Sequence, residues 1–197
     1  MEKSKSFEER YVEGETPWEL NRADGNLISV IDAHNIASGM ALDIGCGSGD
    51  NVIWLVQRGF TVVGCDSSPT AIEQAQYKTS KAGINCSLHA LDFLAEPVPL
   101  SPFDFIFDRG CFHSVDEHAR QVFAARCAEN LTEKGLWLSL IGNADQVRKE
   151  GGPPQLSASQ ITSVIEPHFK ILRISAALFD SELDPPPRCW ICLMQRR

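Results

Sequence analysis

Short apolar runs punctuate the chain, separated by stretches in which apolar residues recur every three or four positions. The runs predict strands at 41–44, 61–66, 86–90, 103–107, 136–141, 169–175 and 189–194. β-Branched and aromatic residues are frequent in them, and glycine, proline or polar clusters bound them. Helices fall between. One is predicted over 24–37, with Asp24 as its N-cap and Leu27, Ile28 and Ile31 on one face. A second covers 51–57 and is stopped by Gly59. Ser68-Pro69 supplies a cap and a first-turn proline for a helix that runs to 81, and Gly83 closes it. Residues 116–130, with Val122, Phe123 and Leu131 along one side, and residues 158–166 give the remaining helices.

Strands alternating with helices imply a doubly wound α/β fold with a mainly parallel sheet. The ending departs from that rule. Only a loop with Pro185-Pro186-Pro187 separates the last two strands, so they must be antiparallel neighbours. The expectation is a seven-stranded sheet, mostly parallel, with one antiparallel strand near the C-terminus. A length of 197 residues suits one domain, placed at 24–197. A polar segment, 1–23, precedes it and holds Tyr11, Pro17 and Trp18.

Composition narrows the partners. A net charge of -8 without a basic block argues against nucleic acid. No apolar run approaches the roughly 18 residues of a membrane span, and the first ten residues lack the apolar core of a secretory signal. The expectation is a cytoplasmic protein without membrane or nucleic-acid partners, monomeric or a weak homodimer. Seven cysteines are an odd number for a disulfide framework. Cys189-x-x-Cys192 resembles half a zinc site, but positions three apart in a strand face opposite sides. No metal is expected, and the cysteines read mostly as core residues.

The candidate chemistry begins at Asp43-Ile44-Gly45-Cys46-Gly47-Ser48-Gly49-Asp50, where a strand meets glycines at alternate positions and then a helix. Asp66 ends the next strand, where a doubly wound fold places the carboxylate that grips a ribose diol. An adenosine-containing cofactor follows. The glycines do not keep the G-x-G-x-x-G register of a dinucleotide site. Asp43 and Asp50 flank them, an unsuitable setting for a pyrophosphate and a suitable one for a positive centre. S-adenosyl-L-methionine carries a sulfonium, an ammonium and no phosphate. The D-x-G-x-G-x-G pattern resembles the first motif of the class I methyltransferases, which implies a Rossmann-like sheet and S-adenosyl-L-homocysteine as product. The reversed strand near the C-terminus agrees with that family's sheet.

The resemblance places Asp43, Gly45, Cys46, Gly47 and Gly49 under the methionine part of the cofactor, with Asp66 and the adjoining Ser67 at the ribose. It sets Asp92 at the adenine amino group with Leu91 and Phe93 beside the ring; the alternative for Asp92 is a helix cap. Asp108-Arg109-Gly110 after the fourth strand resembles the thiopurine methyltransferases, as does Gly152-Pro153-Pro154 with a serine-started helix behind it. Pro17-Trp18 followed by an acid is similar to the Pro-Trp-Asp segment of the thiopurine and tellurite-resistance methyltransferases, whose tryptophan covers the cofactor. Here Glu19 takes the place of the aspartate. The segment 1–23 is therefore expected to lie over the cofactor site.

On the acceptor side, Asp108, Arg109 and His113 are the candidate catalytic residues, with Asp108 also near the cofactor. Arg109 either anchors the substrate or pairs with Asp108 or another carboxylate. His113 either takes a proton or caps the helix near Asp116. Cys111 reads as a packing residue, because methyl transfer from a sulfonium needs no covalent enzyme intermediate. The expected roof of the pocket comprises 13–18, the loop after His113, 143–155 and 179–187. A thiol, with a pKa near 8.5, needs little help from a base, and the chain offers few bases. The expected activity is methyl transfer to a small thiol or other soft nucleophile. The alternatives are small-molecule N- or O-methylation and a non-catalytic cofactor-binding interaction domain. A nicotinamide oxidoreductase is disfavoured by the glycine register.

Overall fold

The computed structural model describes residues 5–145 and 154–197. Its sheet contains β1 (Met40–Ile44), β2 (Thr61–Asp66), β3 (Ser87–Ala90), β4 (Phe103–Arg109), β5 (Leu131–Gly142), β6 (Phe169–Leu178) and β7 (Arg188–Arg196). The spatial order is β3-β2-β1-β4-β5-β7-β6. β1 pairs in parallel with β2 and β4, and the parallel run continues to β3 and β5. β7 lies between β5 and β6 and is antiparallel to both, so the single reversed strand is where the missing crossover predicts it. The strand order reverses at β1. The C-terminal ends of β1, β2 and β4 at this switch point are the position where doubly wound sheets bind ligands.

The helices are α1 (Phe7–Glu13), α2 (Gly25–His34), α3 (Asp50–Gln57), α4 (Pro69–Lys81), α5 (Cys111–Ser114), α6 (Glu117–Asn130) and α7 (Ala158–Ile165). The period-2 alternation of the strands divides the core into two layers. Leu42, Val63, Ile106, Trp137 and Met194 face one side, with Phe112, Phe123 and Ile161 of α5, α6 and α7. Ala41, Val62, Phe105, Leu138 and Leu193 face the other, with Leu27 and Ile31 of α2 and Leu55 of α3. A register shift between Phe103 and Phe105 explains why those two phenylalanines join opposite layers.

Several boundaries differ from the sequence reading. α2 ends three residues early, because Asn35 adopts a left-handed conformation, φ 48°, and caps it. Asp24 is the N-cap as expected, accepting from Asn26 N at 2.8 Å. β5 begins at Leu131 rather than 136; Leu131 is the extended cap of α6, and the polar Thr132-Glu133-Lys134 disguises the strand's start. The buried stripe of α6 is Phe123, Ala124 and Cys127, and Val122 is exposed. α1 was not anticipated, although Ser6 and Glu9 form a reciprocal capping box and Gly14 closes the helix.

Phe112 is fully buried between Phe123 and Trp137, with ring centroids at 5.8 and 5.4 Å. Phe112→Ala leaves a cavity that this tight packing cannot collapse. It is expected to cost about 3–5 kcal/mol, read as a fall in the urea midpoint with an unchanged slope.

Candidate active site

From the end of β1 the chain turns through Gly45, Cys46, Gly47, Ser48 and Gly49 into α3. The turn is held by Cys46 N donating to Cys65 O at 2.9 Å and Gly49 N donating to Cys46 O at 3.0 Å. Gly47 has φ +53°, and a Cβ there would lie 2.5 Å from Glu19 Oε1 and 2.6 Å from the Tyr11 hydroxyl. Only glycine permits that approach. The N-terminal segment thus lies directly on the glycine loop. Glu19 accepts from Ser48 N at 3.2 Å, from the Ser48 hydroxyl and from the Tyr11 hydroxyl at 2.6 Å. Trp18 Nε1 donates to the Tyr11 oxygen at 3.0 Å. Further back, Glu8 accepts from the Ser68 and Thr70 hydroxyls at the start of α4.

Asp43, Asp50, Asp66, Asp108 and Glu19 gather at this edge of the sheet. Asp43 is 1% exposed, and its Oδ2 has no hydrogen-bond partner. Burial, reinforced by Asp66, Asp108 and Glu19, holds its carboxyl well above the usual range. Asp66, at the end of β2, accepts from Gly47 N at 3.0 Å and Ser68 N at 2.9 Å. Burial raises its pKa against those two bonds. Asp50 departs from expectation, because Lys78 of α4 pairs with it at 2.9 Å and also donates to Ser48 Oγ at 2.6 Å. Asp50 is therefore neutralised locally. Lys78 also lies 4.0 Å from Glu19 Oε2, so Asp66 and Asp43 set the negative field at the glycines.

Asp108 and Arg109 are successive strand residues, so they point to opposite faces of the sheet and do not pair. Asp108 is fully buried, accepting from Phe112 N at 3.1 Å and Trp137 Nε1 at 2.9 Å. Burial pushes its carboxyl up to about 6 despite those bonds. It fastens α5 to the core and presents no surface to a ligand, contrary to both roles expected of it. Arg109 turns the other way and forms a buried ion pair with Asp24, Nε to Oδ2 at 2.6 Å. Its other nitrogens donate to Trp18 O at 3.2 Å and Asp180 O at 2.5 Å.

His113 is 2% exposed, and its Nδ1 accepts from Gly142 N at 3.0 Å, at the end of β5. The cap of α6 is Asp116 itself, accepting from Ala119 N at 2.8 Å. Cys111 donates its S–H to Ile44 O at 3.3 Å, and burial raises the thiol well above its ordinary value. It is a packing residue, not a nucleophile.

Other expected positions divide. Asp92 is exposed and caps its turn by accepting from Leu94 N at 2.8 Å, the alternative reading for that residue. The Phe93 side chain turns into the core against Phe123, 4.9 Å between centroids, so it does not flank a ring in the crevice. The Cys46 thiol is also turned inward, where a Cβ on Gly64 would meet it at 3.0 Å. Ser67 is exposed beside Asp66. Of the Gly152-Pro153-Pro154 motif, 152 and 153 lie outside the described residues. Tyr11 and Glu19 were not among the expected site residues. The acid after Pro17-Trp18 was the available signal for Glu19; the capping box of α1, which brings Tyr11 inward, was the signal for the other.

A model of the thiopurine S-methyltransferase (TPMT) family matches residues 2–185. A probable thiol methyltransferase 2 of Arabidopsis thaliana is 30% identical, covering 94% of this chain and 80% of that protein. A thiocyanate methyltransferase 1 of Brassica oleracea is 30% identical over 85% of this chain and 75% of its own length. In fold, the chain is similar to the Burkholderia thailandensis 1,6-didemethyltoxoflavin-N1-methyltransferase solved with bound 1,6-didemethyltoxoflavin and S-adenosylhomocysteine. The TM-score is 0.76 at 16% identity, covering 95% of this chain and 84% of that one. With the family model spanning most of its length, the protein belongs to the thiopurine S-methyltransferase family and is an S-adenosylmethionine-dependent methyltransferase of small molecules.

Proposed function

We propose that this methyltransferase acts on a small thiol or a related soft nucleophile that arrives with its own reactive lone pair. The observation that carries the reading is the backbone hydrogen bond that holds the His113 ring. Its Nδ1 accepts the Gly142 N–H, so the neutral ring carries its proton on Nε2, where it donates rather than accepts. A ring so held does not withdraw a proton from an alcohol. Asp108 is spent on Trp137 and Phe112, and the Cys111 thiol is held well above its ordinary pKa, chiefly by desolvation. An acceptor with a pKa near 8.5 supplies enough anion at neutral pH without any of them. The names of the thiol and thiocyanate methyltransferases agree with this acceptor class.

For the cofactor, the observation that fits is the unpartnered Asp43 Oδ2. S-adenosylmethionine supplies an electrophilic methyl group on a cationic sulfur. In this reading Asp43 and Glu19 meet the positive charge of the methionine part, Asp66 accepts the ribose hydroxyls, and residues 7–19 cover them. A cation set against Asp43 restores its anionic form, reversing the effect of burial. Arg109 is not a substrate anchor here, since its guanidinium is already spent on protein acceptors.

The acceptor assignment predicts a particular pH dependence. With a series of small thiols, kcat/KM should climb about tenfold per pH unit below each thiol's own pKa and level off above it. The break should move with the thiol. Turnover confined to amines or phenols, or a break fixed at one pH for all acceptors, would overturn the reading. Asp66→Ala removes charge-assisted hydrogen bonds of about 1.5–3 kcal/mol each. Losing both bonds to the ribose diol should weaken S-adenosylhomocysteine binding by at least about 100-fold by calorimetry.

Asp43 makes opposite contributions to folding and binding. The folded state holds its proton more tightly than the unfolded chain does. The stability this confers is full below the unfolded pKa near 3.9 and is lost as pH rises toward the folded value. Asp43→Asn stays neutral throughout. It should raise the ligand-free Tm at pH 8 by on the order of 2–8 °C, and less at pH 5. Cofactor binding should weaken at least about tenfold.

A further inference from the structure

We propose that Arg109 is a positioning residue that couples the cofactor side of the site to the loop on its acceptor side. The inference rests on the placement of residues 7–19 over the cofactor. The argument begins with what Arg109 touches. Its backbone is fixed at the end of β4, paired with Leu140 of β5. From there the guanidinium reaches three separate segments: Trp18 O of the N-terminal segment, the Asp24 carboxylate that caps α2, and Asp180 O of the loop after β6. Its Cζ also lies 5.4 Å from the centroid of the Phe179 ring, and that ring packs on His113 at 6.2 Å. The Arg109 side chain is 14% exposed and that of Asp24 only 1%. Solvent does little to loosen such a pair.

The loop is stitched to the N-terminal side a second time. Arg22 pairs with both oxygens of Asp180, Gly25 N donates to Asp180 Oδ2 at 3.1 Å, and Asn26 Nδ2 donates to Leu178 O at 3.1 Å. Residues 178–180 are thus carried by residues 22–26 and by Arg109. Trp18, held by Arg109, adjoins Glu19, held by Ser48 in the glycine loop. One peptide bond therefore separates a contact to the cofactor loop from the fork that holds the acceptor-side loop. A ligand that orders Glu19 and Trp18 removes part of the freedom that Arg109 and residues 178–180 would otherwise lose separately. That shared ordering is a coupling between sites. Lysine cannot replace the fork, since its single ammonium cannot meet Asp24, Trp18 and Asp180 in one plane.

Hydrogen–deuterium exchange with S-adenosylhomocysteine as the probe tests this without a known acceptor. In the wild-type protein the ligand should slow exchange in residues 8–24 and also in 178–184, the latter by about fivefold or more, the low end of ordinary site–site coupling. In Arg109→Lys, which keeps the charge opposite Asp24, residues 8–24 should still respond and 178–184 should not. A purely structural role for Arg109 would loosen both segments with or without ligand and leave the ligand-induced difference intact, which would overturn the proposal. Protection of 8–24 without 178–184 in the wild type would overturn it as well, whatever the variant does. Binding that protects neither segment would overturn the placement of residues 7–19 over the cofactor, and the coupling with it.

Discussion

A carboxylate oxygen without a partner, sealed at the end of the central strand, is the constraint around which this site is organised. Burying a charge uncompensated is expensive, and a protein relieves it either by protonation or by supplying a cation. Asp43 sits where the strand order reverses, with Asp66, Asp108 and Glu19 near enough to raise its pKa further. Lys78 is committed to Asp50, Ser48 and Glu19. The chain has thus placed its local positive charge on the acid that leaves the crevice and kept it from the acid that faces inward. A cationic cofactor resolves this arrangement, while a phosphate would aggravate it.

Much of this was legible because it depends on local rules. Alternating strand and helix signals, the capping serine and proline before α4, and the missing helix between the last two strands fixed the sheet and its one reversed member. The glycine spacing and the two acids at strand ends pointed to the edge at which the strand order reverses. What escaped was set by tertiary contact. Asp50 looked available because its partner, Lys78, is 28 residues away in sequence and meets it only when α3 and α4 pack side by side. Phe93 looked like a ring neighbour because it adjoins Asp92, yet the next residue of a turn can face the opposite way, and here it enters the core. α1 escaped for a different reason. Its capping box was readable, but a seven-residue helix carries too little periodicity to stand out and owes its stability to Glu8 and Tyr11 docking elsewhere.

The Asp108-Arg109 pair shows how an elementary rule can be overlooked when a motif is read as a unit. The two charges are adjacent, and adjacency suggests a shared task. Once the strand extends to Arg109, period two sends them to opposite faces. Asp108 then enters the layer of Trp137 and Phe112, and Arg109 enters the layer of α2. Each becomes a fastening for a different set of segments. The carboxylate pins α5, which carries Cys111 and His113; the guanidinium pins the N-terminal segment and the loop after β6. The motif therefore organises both halves of the site through the two faces of one strand.

That division also bears on the soft nucleophile proposed as acceptor. Deprotonating an alcohol needs an exposed base with a raised pKa close to the reacting atoms. In this fold the acids with raised pKa values lie on the cofactor edge or inside the core, and the histidine turns its acceptor nitrogen to the backbone of β5. Moving any of them to the acceptor would undo something else. Freeing Asp108 would release α5, turning His113 would leave the Gly142 N–H unpaired in the interior, and ionising Asp43 without a cation would destabilise the sheet edge. In the proposed reading the polar groups at this edge hold a cation and tie down its covers. In the proposed reading the acceptor brings its own nucleophilic lone pair, and a thiol does so by ionising at neutral pH.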